Sequence, residues 1–150
     1  YVPMTEKEIE HLATSLKPII DPNKTFIYEC DGKPAAFMVT IPDLNMYIAP
    51  LKGKLLSFGT FKLIWKLLIS NKHKRLRVPL MGVAQKYQRS PLGAAMAISM
   101  SEKTRDYIYA NGARFVEMGW ILEDNDGMIS MIDLMGAELY KIYRIYEKPL

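Results

Sequence analysis

The sequence predicts a single domain of the α/β (α+β) class built on a mixed sheet, and three observations carry that prediction. Two β-rich runs, TFIYEC and KPAAFMVTIP, flank Asp31-Gly32, a strong hairpin signal. Residues 76–84, LRVPLMGVA, form an almost unbroken apolar run, as expected of a strand buried on both faces. Behind it come a long helical stretch and a further β-rich run. Strand–helix–strand units with short connections favour parallel pairing and a right-handed crossover, so the early hairpin makes the sheet mixed.

The elements follow in order. Thr5 with Glu8 three residues on reads as a capping box. Ile9, Leu12, Leu16 and Ile19 then recur at helical spacing, which predicts a helix over 6–16, closed by Pro18 and Asp21-Pro22. The hairpin occupies 25–42 and Pro42 ends its second run. LNMYIAPLKGKLL reads as a short helix or loop broken by Pro50 and Gly53. FGTFKLIWKLLISNK (58–72) predicts a basic amphipathic helix with Lys62 and Lys66 at i, i+4, packed on the domain's own sheet. A membrane surface or a partner is the other use of such a helix. NKHKRLR (71–77) predicts a solvated turn entering a strand, with phosphate or nucleic-acid binding as its alternative. His11 and His73 are both expected at the surface.

Pro79 lies awkwardly inside the apolar strand, because it removes a ladder donor; a bulge or a splayed strand would resolve the conflict. A long helix is predicted over 91–110, from Ser90-Pro91 to Asn111-Gly112. ARFVEMGWIL (113–122) reads as a strand, NDGMISMIDLM as a short helix ended by Gly136, and AELYKIYRIYEK as a final strand with alternating tyrosines. There is no internal repeat, low-complexity segment or linker.

The totals narrow the function classes. The chain has 150 residues, 49% of them apolar and 24% charged, which is ordinary for a globular domain with a genuine core. No stretch of eighteen apolar residues is present, so no membrane partner is expected. One cysteine, Cys30, suggests neither a disulfide nor a metal site and points to a reducing, cytoplasmic setting. A net charge of +4 suits an anionic cofactor or substrate; no nucleic-acid partner is expected. No Ser–His–Asp or Cys–His set, GxxxxGK[ST] loop or dinucleotide glycine fingerprint stands out.

What remains is the turn YQRSPLGA (87–94). Ser90-Pro91 is the signature of a capped helix start, whereas Gln88, Arg89 and Gly93 look like pieces of a loop cradling a phosphate. Backbone N–H groups there would receive a pyrophosphate, with Lys86 and Arg89 adding charge from the rim and Gly93, Ala94 and Ala95 allowing close approach.

On these residues the chain resembles the GNAT superfamily of N-acetyltransferases. The superfamily's hallmark Gln/Arg-x-x-Gly-x-Gly/Ala aligns with Gln88, Arg89, Ser90, Pro91, Leu92 and Gly93. MGVAQKYQ resembles the strand end and turn before it. EDNDGMISMIDLMGAELYK resembles the later segment, with Asn125 and Gly136 at the matching Asn and Gly. GWILEDN and YKIYRIYEKPL look like a subgroup of uncharacterised bacterial acetyltransferase-like proteins. The resemblance covers most of 5–148 and is looser before residue 70. It implies a mixed, twisted sheet with helices on both faces, a splayed central strand, and a family first strand that would precede Tyr1 in a longer protein.

The same resemblance implies an acetyl-CoA (coenzyme A) site. Met81 and Val83 would bond the pantetheine. Gln88, Arg89, Ser90, Leu92, Gly93 and Ala94 would hold the pyrophosphate, and Asn125 would contact the pantetheine arm or the reacting region. The activity implied is transfer of an acetyl group to an unidentified small-molecule or peptide amine by direct attack on the thioester. Monomer and homodimer are both left open. Two departures bear on this. Pro91, without an N–H, replaces the hallmark's first glycine. Ile132 stands where many family members place a tyrosine general acid. Glu123 is therefore the expected base or water-ordering group, and Tyr143 the acid, with Tyr140 and Tyr146 as its neighbours on the last strand. The alternative is a catalytically degenerate module that keeps the fold and CoA affinity or serves protein interaction.

Overall fold

The computed structural model describes residues 4–54, 61, 63, 65 and 73–148. The amphipathic helix expected over 58–72 falls largely outside the described residues. The chain divides into two units, 1–120 and 121–150.

The first unit begins with helix α1 (Glu6–Leu16), whose capping box forms as expected: the Thr5 hydroxyl accepts from the Glu8 N–H, and the Glu8 carboxylate accepts from the Thr5 N–H at 2.7 Å. Strands β1 (Thr25–Cys30) and β2 (Lys33–Pro42) form the hairpin. Asp31 and Gly32 both have positive φ, 52° and 68°, the signature of a tight turn whose twist matches the strands. Helix α2 (Asn45–Ile48) is a single turn, followed by a 3₁₀ turn over Ala49–Leu51.

Strand β3 (Arg75–Val83) pairs antiparallel with β2 and parallel with β4 (Phe115–Met118), giving the sheet order β1-β2-β3-β4. Helix α3 (Pro91–Ala110) makes the crossover between them. Its Met96 and Met100 pack on Ala35, Ala36, Met38 and Val78, the core of the unit. Met38 and Met100 are essentially inaccessible to solvent. Full burial of one such side chain stabilises by roughly 1.5–3 kcal/mol.

The bulge that Pro79 called for is present. Val39 faces Leu80 but Ile41 faces Arg77, so Thr40 opposes two residues, Val78 and Pro79. The β3–β4 ladder has its last pair at Val78 and Met118, immediately before Pro79. That explains one correction. The strand expected over 113–122 is shorter, because residues beyond Met118 have no β3 partner to bond.

A second correction concerns His73, which is buried rather than on the surface, its Nδ1 2.7 Å from the Tyr47 hydroxyl. The Tyr47 ring of α2 meets its imidazole edge to face, a tertiary contact that the charged run NKHKRLR does not encode. His11 is exposed as expected.

The second unit holds helix α4 (Asp126–Leu134), after which Gly136 has φ 67°. Residues 137–148 adopt no regular structure, contrary to the final strand expected there. Their alternation suits a strand, but a strand exists only where its backbone groups find a partner. Ile145 and Tyr146 are almost fully exposed.

Candidate functional site

The candidate site grows from the bulge in β3. The Ala84 N–H donates to the Ala35 carbonyl at 2.8 Å, so Gly82 and Leu80 also direct their main-chain groups toward β2. Met81 and Val83 therefore turn theirs to the other edge. Beyond Val78 that edge carries no strand among the described residues of this unit. The sequence-predicted pair Met81 and Val83 thus lies on an open strand edge, with side chains packed on the α3 core.

The edge leads directly into the turn. Gln85–Tyr87 form a 3₁₀ turn, and the Gln88 Nε2 donates back to the Val83 carbonyl at 2.9 Å. Arg89 has φ 59°, a left-handed conformation that reverses the chain into α3. Ser90 is the N-cap: its Oγ accepts from the Gly93 N–H at 3.1 Å and donates to the Tyr87 carbonyl at 2.6 Å. Gln88, Arg89, Ser90, Leu92, Gly93 and Ala94 are therefore brought together at one helix start.

Their roles differ from those expected. A Cβ on Gly93 would lie 2.1 Å from the Tyr87 carbonyl oxygen, so the glycine admits the chain's own turn rather than a bound anion. The Gly93 amide is held by Ser90 and the Ala94 amide by the Ser90 carbonyl at 3.1 Å. Pro91 has no N–H. Among the described residues, this leaves the Arg89 and Leu92 amides without a partner, at the positive end of a 20-residue helix. Two cations stand beside them. Arg89 is exposed, and the Lys86 ammonium lies 4.5 Å from the Tyr87 ring, whose hydroxyl raises the lysine pKa.

This set fits a pantetheine pyrophosphate: an open edge with alternating amide and carbonyl groups, then two amides and two cations at a helix start.

Three other expected residues belong to the second unit. Asn125 caps α4, its Oδ1 accepting from the Met128 N–H at 3.1 Å. Glu123 lies in an exposed turn instead of at a strand end, because β4 stops at Met118. Tyr143 stands in the irregular exposed segment rather than on a strand. Ile132 is half-buried within α4.

A pair that the sequence did not single out stands at the mouth of the splay. The Arg77 guanidinium meets the Glu117 carboxylate at 3.2 Å, and Glu117 is only 11% exposed. Both lie on the sheet face opposite α3, one pair before the ladder ends, with the Trp120 ring 5.7 Å from the guanidinium. Only the β3–β4 register reveals this pair. Among the described residues, no cluster of His, Cys, Asp and Glu could hold a metal ion. No described helix is long and apolar enough to cross a membrane.

Known structures share the fold. The chain superposes on the acetyltransferase AAC(6′)-Iy carrying the bisubstrate analogue CoA-S-monomethyl-acetylneamine, with TM-score 0.58 and 12% identity over 97% of this chain and 82% of that one. The CoA complex of the same aminoglycoside N-acetyltransferase gives TM-score 0.55 and 13% identity over 98% and 97% of the two chains. An aminoglycoside 6′-N-acetyltransferase from Acinetobacter haemolyticus gives 0.53 at 8% identity, over 100% and 85%. The chain therefore has the mixed α/β fold of the GNAT N-acetyltransferases. No family model matches it. In sequence it is 42% identical over 150 residues to Protein YghO of Escherichia coli and 41% identical to a bacterial ceramide synthase of Caulobacter vibrioides. It spans all of this chain but only 38% and 39% of those proteins.

Proposed function

We propose that this chain is the acyl-transfer domain of an acyl-CoA-dependent N-acyltransferase whose acceptor is the amine of a long-chain amino alcohol. The observation that carries the reading is the open edge of β3 at Met81 and Val83, running straight into the amides and cations of the turn before α3. A strand edge of this kind bonds an extended chain of alternating donors and acceptors by the geometry of strand addition. The relative named ceramide synthase supports the acceptor class and favours a fatty acyl group over acetyl, since a ceramide is an N-acylated long-chain base.

In this reading Met81 and Val83 bond the pantetheine arm through their main chain. The Arg89 and Leu92 amides, with the Lys86 and Arg89 side chains, hold the pyrophosphate. Gln88 fixes the Val83 carbonyl, and Ser90 and Gly93 shape the turn. The acyl thioester supplies a carbonyl activated toward a neutral amine. Whichever of the Met81 and Val83 N–H groups the pantetheine leaves free supplies the donor that a developing oxyanion requires. Proton removal from the amine falls to a carboxylate, Glu123 or Glu117, and Tyr143 is the acid that protonates the departing thiolate. The lone free thiol and the CoA donor fit a cytoplasmic setting.

Release of CoA thiol by the protein, measured with fatty acyl-CoA and a panel of amines, tests this. Thiol release with long-chain amino alcohols, and an N-acyl lipid by mass spectrometry, is expected; release only with aminoglycosides or peptides overturns the acceptor assignment. Ile132, at the family's tyrosine position, favours a second reading as a CoA-binding module. CoA binding without thiol release for any amine would select it.

A further inference from the structure

A second site lies at the other end of the sheet, and it stands independently of the acyl-transfer reading. The starts of β3 and β4 frame a cavity of about 630 Å³ lined by Met46, Lys74, Arg75, Gly112, Arg114 and Phe115. Strand β3 has nine residues, so the cavity is separated from the CoA turn by roughly 25 Å at the usual rise per residue.

Three cations meet here because of the topology. The Arg114 N–H donates to the Lys74 carbonyl at 3.0 Å, which ties the entries of the two parallel strands together. That bond sets Lys74, Arg75 and Arg114 around one opening. The Arg75 guanidinium lies 4.1 Å from the Phe115 ring centroid, which holds it flat against the wall. Asp43 is the counter-charge, its carboxylate 3.4 Å from the Arg75 Nε, and the Nε makes no hydrogen bond although it is buried. Lys74 and Arg114 are exposed. Three positive charges against one carboxylate give the opening an excess of about two positive charges, a local potential that attracts an anion. On the rim, Met46 of α2 is a half-exposed apolar side chain.

We infer that this cavity binds the phosphate group of a phosphate ester, with Arg114 and Lys74 as its main donors and Arg75 as the anchored wall. A guanidinium–ammonium set suits tetrahedral oxyanions. The apolar rim suits an ester that carries a hydrophobic substituent. The ester has two possible sources, an anionic phospholipid headgroup or a soluble phosphate ester, and they share this chemistry.

The test compares the intact protein with a Lys74→Glu/Arg114→Glu variant and with a Lys7→Glu/Lys17→Glu control on the exposed α1. Each is titrated with glycerol phosphate and is sedimented with vesicles of phosphatidylcholine alone or with one-third phosphatidylglycerol. Circular dichroism verifies that all three proteins are folded. Expected is binding by the intact protein and the control that falls at least tenfold in the Lys74/Arg114 variant. Binding of glycerol phosphate identifies a soluble ester as the source, and binding of anionic vesicles alone identifies the headgroup. No binding of either probe overturns the inference. So does an equal loss in the control, which would mean a diffuse surface charge effect.

Discussion

Substituting Gly93 by alanine sets two effects of opposite sign against each other. Replacing glycine by alanine within a helix ordinarily stabilises it by about 1 kcal/mol. At Gly93 the added methyl carbon would stand 2.1 Å from the Tyr87 carbonyl oxygen and 3.0 Å from its carbon, with Val83 Cγ1 at 3.4 Å. The obstacle is backbone, which cannot rotate aside. Overpacking of this kind costs roughly 1–3 kcal/mol. The displaced Tyr87 carbonyl also accepts from the Ser90 N–H and the Ser90 hydroxyl, and each bond contributes about 1 kcal/mol net. Even with the clash at the low end of its range, it and the two bonds outweigh the propensity gain, for a net loss of at least about 2 kcal/mol. In a chain of 150 residues that corresponds to a fall in Tm of about 4–8 °C by calorimetry. The variant also weakens CoA, because the Arg89 and Leu92 amides move with the turn. An unchanged or raised Tm would refute the assignment of Gly93 to the packing of the turn on the helix.

Two further outcomes follow from the same geometry. Ser90→Ala removes the cap and lowers stability by about 1 kcal/mol, yet it releases the Gly93 N–H. The stabilisation that saturating CoA adds in a thermal melt therefore grows in the variant; a smaller increment would mean that the Ser90 hydroxyl itself contacts the ligand. Burial opposes ionisation of Asp21, but Lys24, 2.8 Å away, and the Asn23 N–H outweigh it and hold the carboxyl below the usual aspartate range. Its stabilisation is thus present above the unfolded-state pKa and is lost as pH falls through the lowered folded one. Asp21→Asn should be less stable than the parent at neutral pH, in urea titrations, with the gap closing in acid. A gap constant across pH would contradict the pairing.

Much of the fold is carried by local signals. The Thr5–Glu8 box, the Asp31-Gly32 turn, Ser90-Pro91 and Asn111-Gly112 act within a few residues of themselves, and each stands where the sequence indicates. Pro79 signalled a break in the ladder, a bulge or a splayed strand, because a missing N–H leaves a gap in any ladder, and the bulge is what forms. Features that depend on partners were illegible. The alternating tyrosines of 137–148 form no strand, since alternation shows readiness to pair and not the presence of a neighbour. The Arg77–Glu117 pair requires the β3–β4 register, and the burial of His73 requires α2. At the candidate site the sequence located the turn, but it could not show that Gly93 accommodates Tyr87 or that the Ser90 cap consumes an amide that a phosphate would otherwise use.

The central claim is that the turn after β3 binds the CoA end of an acyl donor. Isothermal titration of CoA into the parent protein and Arg89→Gly tests it most directly. Glycine accepts the φ of 59° at this position, so the variant keeps the turn and deletes only the cation. Saturable 1:1 binding by the parent is expected, and roughly tenfold weaker binding by the variant, the worth of about one charged hydrogen bond. The variant should also melt no lower than the parent. Absence of binding at millimolar CoA, or equal affinity in the two proteins, would contradict it.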